Sequence, residues 1–119
     1  MCKINFVKTD DNSTGLYCNE VNDIFHSKTG ALTEAYDKFY NPIKKFIENK
    51  AKLNVLDVCY GIGYNSKVLL SNSPCSSIEI DALEFDKDYI LLSPFINDGI
   101  NDYELKIKLL DEVINNSKI

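Results

Sequence analysis

The stretch Asn54-Val55-Leu56-Asp57-Val58-Cys59-Tyr60-Gly61-Ile62-Gly63-Tyr64-Asn65 decides the fold. Its first half is short, apolar and β-branched, which suits a strand buried on both faces of a parallel sheet. Its second half is a turn bearing two glycines, after which 66–71 reads as the start of a helix closed by Ser71-Asn72-Ser73-Pro74. A second strand is predicted from Ser77 to Phe85, with Ile78, Ile80, Ala82 and Leu83 apolar and Glu84 near its C-terminal end. Strand, glycine turn, helix and strand make a βαβ unit, whose crossover is expected to be right-handed.

The same residues carry the candidate chemistry. Asp57 lies near the end of the first strand, and a glycine turn lets a ligand approach the backbone where a Cβ would occupy the space or forbid the dihedrals. About 20 residues beyond Gly63, Glu84 stands where a carboxylate can accept hydrogen bonds from both hydroxyls of a ribose. Together these features point to an adenosine-containing cofactor. They also suit a plain tight turn followed by a solvated strand cap, and a lone Gly-x-Gly cannot separate the two.

Working outward, Ile4, Phe6, Leu16 and Cys18 flank the polar cluster Thr9-Asp10-Asp11-Asn12-Ser13-Thr14-Gly15, which predicts two short strands around a turn. Ala31, Ala35, Phe39, Ile43 and Phe46 recur at helical spacing, with Pro42 expected to kink or split that helix. Asp86 opens another helical segment broken near Pro94. From Tyr103 to Asn116, Leu105, Leu109 or Leu110, Val113 and Ile114 form an amphipathic helical pattern.

At 119 residues and 45% hydrophobic content the chain suits one compact domain. Its net charge of -5 and sequence pI near 4.8 argue against binding nucleic acid by bulk electrostatics, so any RNA contact must be local or supplied by further sequence. The four cysteines, Cys2, Cys18, Cys59 and Cys75, form no Cys-x-x-Cys pair, and with a single His they argue against a zinc site. No apolar run approaches the roughly 18 residues needed to cross a bilayer. A cytoplasmic protein with reduced thiols and no membrane partner is expected.

Two separate segments resemble one family. Asp23-Ile24-Phe25-His26-Ser27-Lys28-Thr29-Gly30-Ala31-Leu32-Thr33-Glu34 is similar to the stretch that precedes the Rossmann domain in the MnmC/MnmD tRNA methyltransferases, and 56–65 resembles their cofactor loop. Ser13-Thr14-Gly15-Leu16-Tyr17 also resembles the end of their opening hairpin. The resemblance covers roughly Lys3 to Asp88. It implies an α/β fold: a β-hairpin and helix, then the first βαβ unit of a Rossmann-like, S-adenosylmethionine-dependent methyltransferase fold, reading as incomplete. It also implies methyl transfer to the aminomethyl group of a modified wobble uridine, with tRNA as substrate. The attacking amine must be neutral, and a nearby carboxylate can help remove its proton.

Carried over by position, Gly61 and Gly63 would face the methionine part of the cofactor. Asp57 would sit under that loop, Asn65 would fix it, and Glu84 would hold the ribose. Ser27, Gly30 and Glu34 would cover the cofactor or shape its pocket. No catalytic residue is assigned and no metal is implied. The chain departs from the pattern at Cys59, where the family has its first loop glycine; a side chain there would crowd the cofactor or shift the strand end. By itself Cys59 reads as a small buried hydrophobe. The later family strands, which carry an Asp-containing motif near the substrate amine, have no counterpart after Asn101.

His26 is read as a loop or packing residue, and Tyr60 and Tyr64 as core rather than base-stacking residues. Asp81, Asp86 and Asp88 are read as a solvated strand end rather than a metal site. The expected organisation is one partial methyltransferase domain over 1–119: hairpin and helix in 1–50, cofactor-binding βαβ in 51–101 and a C-terminal helix in 102–119. An open sheet edge would be covered by a second copy or by a C-terminal half. The alternatives to an enzyme are an inactive remnant serving as a folding or assembly module, and an unrelated nucleotide-binding module.

Overall fold

The computed structural model describes residues 4–18, 23–24, 30–96 and 100; His26, Ser27 and the predicted C-terminal helix lie outside the described residues. Strands β1 (Ile4–Lys8) and β2 (Thr14–Cys18) form the expected hairpin, antiparallel from Ile4 opposite Cys18 to Lys8 opposite Thr14. A short strand β3 (Asp23–Ile24) adds to β2. The turn closes through the Asn12 N–H donating to the Thr9 carbonyl and the Thr9 N–H to the Ser13 carbonyl, both at 2.9 Å. Asn12 takes φ 67°, a left-handed conformation that its short polar side chain tolerates.

The next helix is continuous but changes its ladder. α1 (Ala31–Glu34) passes into a π-helical segment (Ala35–Tyr40) and then α2 (Asn41–Ile47), which carries Pro42 in its first turn. Proline has no N–H and its ring crowds the carbonyl four residues back, so the wider π turn carries the chain past it without a break. The Asn41 N–H accordingly donates to the Tyr36 carbonyl, five residues back. That extra residue per turn rotates the apolar stripe. Ala31, Ala35, Tyr40 and Ile47 are buried, while Phe39, Ile43 and Phe46 of the expected stripe are exposed.

The βαβ unit is present. β4 (Lys52–Val58) runs parallel to β5 (Ser77–Leu83), with α3 (Tyr64–Asn72) between them in sequence, and Asp57 is opposite Ala82 and Val58 opposite Leu83. α4 (Lys87–Leu92) starts at Asp86, whose side chain accepts the Asp88 N–H at 2.9 Å, and it tightens into a 3₁₀ turn (Ser93–Phe95) at Pro94. The molecule is thus a mixed α/β fold of hairpin, helices and parallel strand pair.

The core lies on one face of that pair. Leu53, Val55 and Ile80 pack against a buried cluster drawn from α1, α2, α3 and the π-helical segment. The expectation that β4 is buried on both faces is corrected: Leu56 is 63% and Val58 60% exposed, and Leu83 of β5 is 54% exposed. Side chains alternate along a strand, so a single covering layer buries only every second one. Tyr64 joins the two halves of the fold. Fully buried, its hydroxyl donates to the Thr14 carbonyl at 2.6 Å and accepts the Thr14 N–H at 3.0 Å. Tyr60 and Tyr64 are core residues, as read from the sequence.

Candidate cofactor site

The site grows from the C-terminal ends of β4 and β5. Parallel pairing brings both strand ends to the same side, and the Tyr60 N–H extends the ladder by one bond, donating to the Leu83 carbonyl at 3.0 Å. The chain then turns through three left-handed residues, Cys59 (φ 62°), Gly61 (φ 60°) and Gly63 (φ 86°). The turn is closed by the Gly63 N–H donating to the Tyr60 carbonyl at 3.0 Å, and α3 starts immediately after it.

Glu84 reaches across to this turn. Its Oε1 accepts the Gly61 N–H at 2.7 Å and its Oε2 accepts the Asp86 N–H at 2.9 Å. Each carboxylate oxygen retains a lone pair, so the group can still accept from two hydroxyls. The glycines serve different ends. A Cβ on Gly61 would meet little but the Cys59 carbonyl oxygen at 3.9 Å, whereas one on Gly63 would lie inside contact distance of the Tyr60 hydroxyl and 2.8 Å from Ser93 Oγ. Gly61 is itself buried but leaves room for a Cβ; Gly63 is a packing position.

Cys59 is exposed, not buried as the sequence suggested, because it sits past the end of β4 at the left-handed corner. It lines a groove of about 460 Å³ together with Glu34, Asp57, Asn65 and Ser66, with Phe39, Tyr40, Ile43 and Leu69 as apolar wall. Asp57 is 8% exposed and accepts the Ser66 hydroxyl proton on Oδ2, which ties the strand end to the first turn of α3. Asn65 Oδ1 is buried without a hydrogen-bond partner among the described residues. A buried acceptor left without a donor is costly, so this atom marks where a donor on a ligand would be welcome. Glu34 stands on the other wall, 3.8 Å from Lys38.

The structure therefore sorts the residues expected at the site. Asp57, Asn65 and Glu34 share the groove, and Gly61 and Glu84 are bonded to each other beside it. Gly63 is adjacent but packed from behind. Gly30 belongs to a different contact: its Cβ position is filled by the Asp11 side chain. Sequence reading missed Ser66, Ser93 and Asp11, because short polar residues in turns and helix starts carry no signal of the partner they reach. Among the described residues no three His, Cys, Asp or Glu side chains are grouped to hold a metal ion, and no helix is long and apolar enough to cross a membrane.

This architecture is shared with a solved protein. The chain superimposes on the crystal structure of MnmC2 from Aquifex aeolicus with a TM-score of 0.77 at 29% identity, over 95% of this chain and 38% of that one. It is also 33% identical over 99 residues to the uncharacterised protein MJ0670 of Methanocaldococcus jannaschii, covering 83% of this chain and 27% of that protein. No family model matches the sequence. The fold is MnmC-like, and the chain spans well under half the length of either relative.

Proposed function

We propose that the chain forms the cofactor-binding part of an S-adenosylmethionine-dependent tRNA methyltransferase of the MnmC type. The observation that carries this reading is the Gly61 N–H held by Glu84, which ties the glycine turn and a strand-end carboxylate with spare lone pairs into one unit. The residues present fit the cofactor: an unpartnered buried acceptor at Asn65, uncrowded space beside Gly61 and spare lone pairs on Glu84.

In this reading Glu84 accepts the ribose hydroxyls while the Gly61 N–H keeps its carboxylate in place. Asn65 Oδ1 accepts a donor from the methionine part, and Asp57, held by the Ser66 hydroxyl, presents its carboxyl to the groove. Gly61 and Gly63 shape the turn, Glu34 closes the facing wall, Gly30 sits at the start of the helix that carries Glu34, and Ser27, by its place in the resembling motif, covers the cofactor or shapes its pocket. The cofactor supplies an electrophilic methyl group when bound. The acceptor is the aminomethyl nitrogen of a modified wobble uridine, in keeping with the resemblance of 23–34 and 56–65 to MnmC/MnmD enzymes, and the site of action is the cytoplasm. Positioning contributes most of what these residues do for the rate.

The test is calorimetric titration of the purified chain with S-adenosylmethionine and S-adenosylhomocysteine, with Glu84→Ala as control. Saturable binding that the substitution abolishes supports the reading; a folded chain that binds neither compound overturns it. A second reading is favoured by the exposed apolar face at Leu56, Val58 and Leu83: the chain acts as an assembly module covered by a second copy or by further polypeptide. Sedimentation analysis separates the two, since that reading requires self-association or a stable complex and no cofactor affinity.

A further inference from the structure

We propose that Ser93 is a positioning residue for the glycine turn, holding the Ile62 carbonyl through a directed hydroxyl relay that begins at Tyr60. The inference rests on the cofactor reading above and concerns how its turn is kept in shape.

Ser93 lies where α4 passes into the 3₁₀ turn, 31 positions beyond Ile62, and is fully buried. Its Oγ donates to the Ile62 carbonyl at 2.9 Å and lies 2.8 Å from the Tyr60 hydroxyl. A serine hydroxyl has one proton. With that proton on Ile62, the bond to Tyr60 must run the other way, from Tyr60 Oη to Ser93 Oγ. The relay is therefore Tyr60 to Ser93 to Ile62, and it closes a loop on the same turn that Tyr60 begins.

Gly63 makes room for it. A Cβ there would press on both the Tyr60 hydroxyl and Ser93 Oγ, so the second glycine serves the relay. Ser93 is itself fixed by Lys67, 1% exposed, whose Nζ donates to the Ser93 carbonyl at 2.6 Å. The two ends of α4 thus bear on neighbouring residues of the turn: Glu84, anchored by the Asp86 N–H, holds Gly61 at the front, and Ser93 holds Ile62 from behind. The uncrowded space left in the turn is beside Gly61. A turn held in this way binds without first being ordered, which is the source of the affinity gain.

The experiment compares Ser93→Ala and Tyr60→Phe with wild type and with Ile47→Val, a core change in α2 that lowers stability without touching the turn. Amide hydrogen exchange is read at Gly61, Ile62 and Gly63 in the free chain, and S-adenosylmethionine affinity by calorimetry. The expected result is exchange about tenfold faster at these amides and cofactor affinity reduced about 5- to 10-fold in Tyr60→Phe, as loss of one net hydrogen bond implies, with an effect at least as large in Ser93→Ala, which loses both bonds of the relay. Ile47→Val should show neither. Tyr60→Phe leaves the Ser93–Ile62 bond in place, so it reports on the relay even where Ser93→Ala folds poorly. Exchange at the turn no faster than in Ile47→Val overturns the relay. If wild type binds no cofactor, the cofactor reading falls and the exchange data still decide whether Ser93 holds the turn.

Discussion

The Asp11 side chain occupies the place where a Cβ on Gly30 would stand, with Asp11 Cβ only 2.8 Å from that position. From there Asp11 Oδ2 accepts both the Thr33 N–H and the Thr33 hydroxyl at 2.8 Å, so a hairpin residue caps a helix that begins 20 residues later. Its Oδ1 meanwhile accepts the Ser13 N–H and the hydroxyls of Thr9 and Ser13. The glycine of the 23–34 motif is thus explained by docking of the hairpin onto α1.

Gly30→Ala should therefore destabilise the fold by about 1–3 kcal/mol, through overpacking against Asp11 and a positive φ that alanine rarely adopts. The cost should be less than additive with that of Asp11→Ala, because removing the carboxylate takes away the two nearest atoms and leaves only Asp11 Cβ against the new methyl. Urea denaturation of the two single variants and the double variant measures this. Additivity within about 0.5 kcal/mol would mean that the two residues do not share the contact.

Acid should loosen the same contact. Burial pushes the Asp11 carboxyl up, but hydrogen bonds from the Ser13 side chain, the Ser13 amide and Thr33 outweigh it and hold the group well below its ordinary 3.8. A depressed folded-state value means that Asp11 contributes its stability above 3.8 and loses it as pH falls further, through the folded value. Thermal unfolding followed from pH 6 down to pH 2 should show wild type losing more of its stability below pH 4 than Asp11→Asn. Parallel curves would assign the acid sensitivity to other carboxylates.

Cys59 gives the clearest gain. A non-glycine residue at φ 62° carries a strain of roughly 1–2 kcal/mol, partly offset on substitution by the greater freedom of glycine in the unfolded chain. Cys59→Gly should therefore leave the chain equally stable or up to about 1 kcal/mol more stable, the reverse of most substitutions. It also removes a side chain from the lining of the groove, so cofactor affinity should rise with it. A lower denaturation midpoint in Cys59→Gly would show that the thiol makes contacts worth more than the backbone strain.

These cases show where the sequence is legible. The βαβ unit can be read because β-branched residues, paired glycines and Glu84 are local signals at fixed spacing, and the structure joins them as expected. Cys59 is informative only beside the glycine that the family resemblance sets there, since nothing in its neighbours announces a left-handed corner. The helix stripe is misread because one π turn displaces every later position by a residue: Phe39, Ile43 and Phe46 go outward and Tyr40 and Ile47 inward. Ser93 and Asp11 stay hidden for a different reason, as each acts on a backbone group 20 or more positions away in sequence.

Glu84 should matter even without a ligand. It accepts two backbone N–H groups, from Gly61 and Asp86, and so links the glycine turn to the N-terminus of α4. Replacing it by alanine leaves both donors without their acceptor, at a cost of about 1–3 kcal/mol where they stay out of water. Glu84→Gln keeps acceptor capacity on one oxygen but presents a donor on the other. Because Oε1 and Oε2 each face an N–H, one of the two bonds must be lost whichever way the amide is turned. Glutamine should therefore fall between wild type and alanine in chemical denaturation, and its loss should be as large in high salt as in low, since the defect is a misplaced donor rather than a screened charge. A glutamine variant as stable as wild type would show that the two amides find other partners, and Glu84 would then be free to act on a ligand alone.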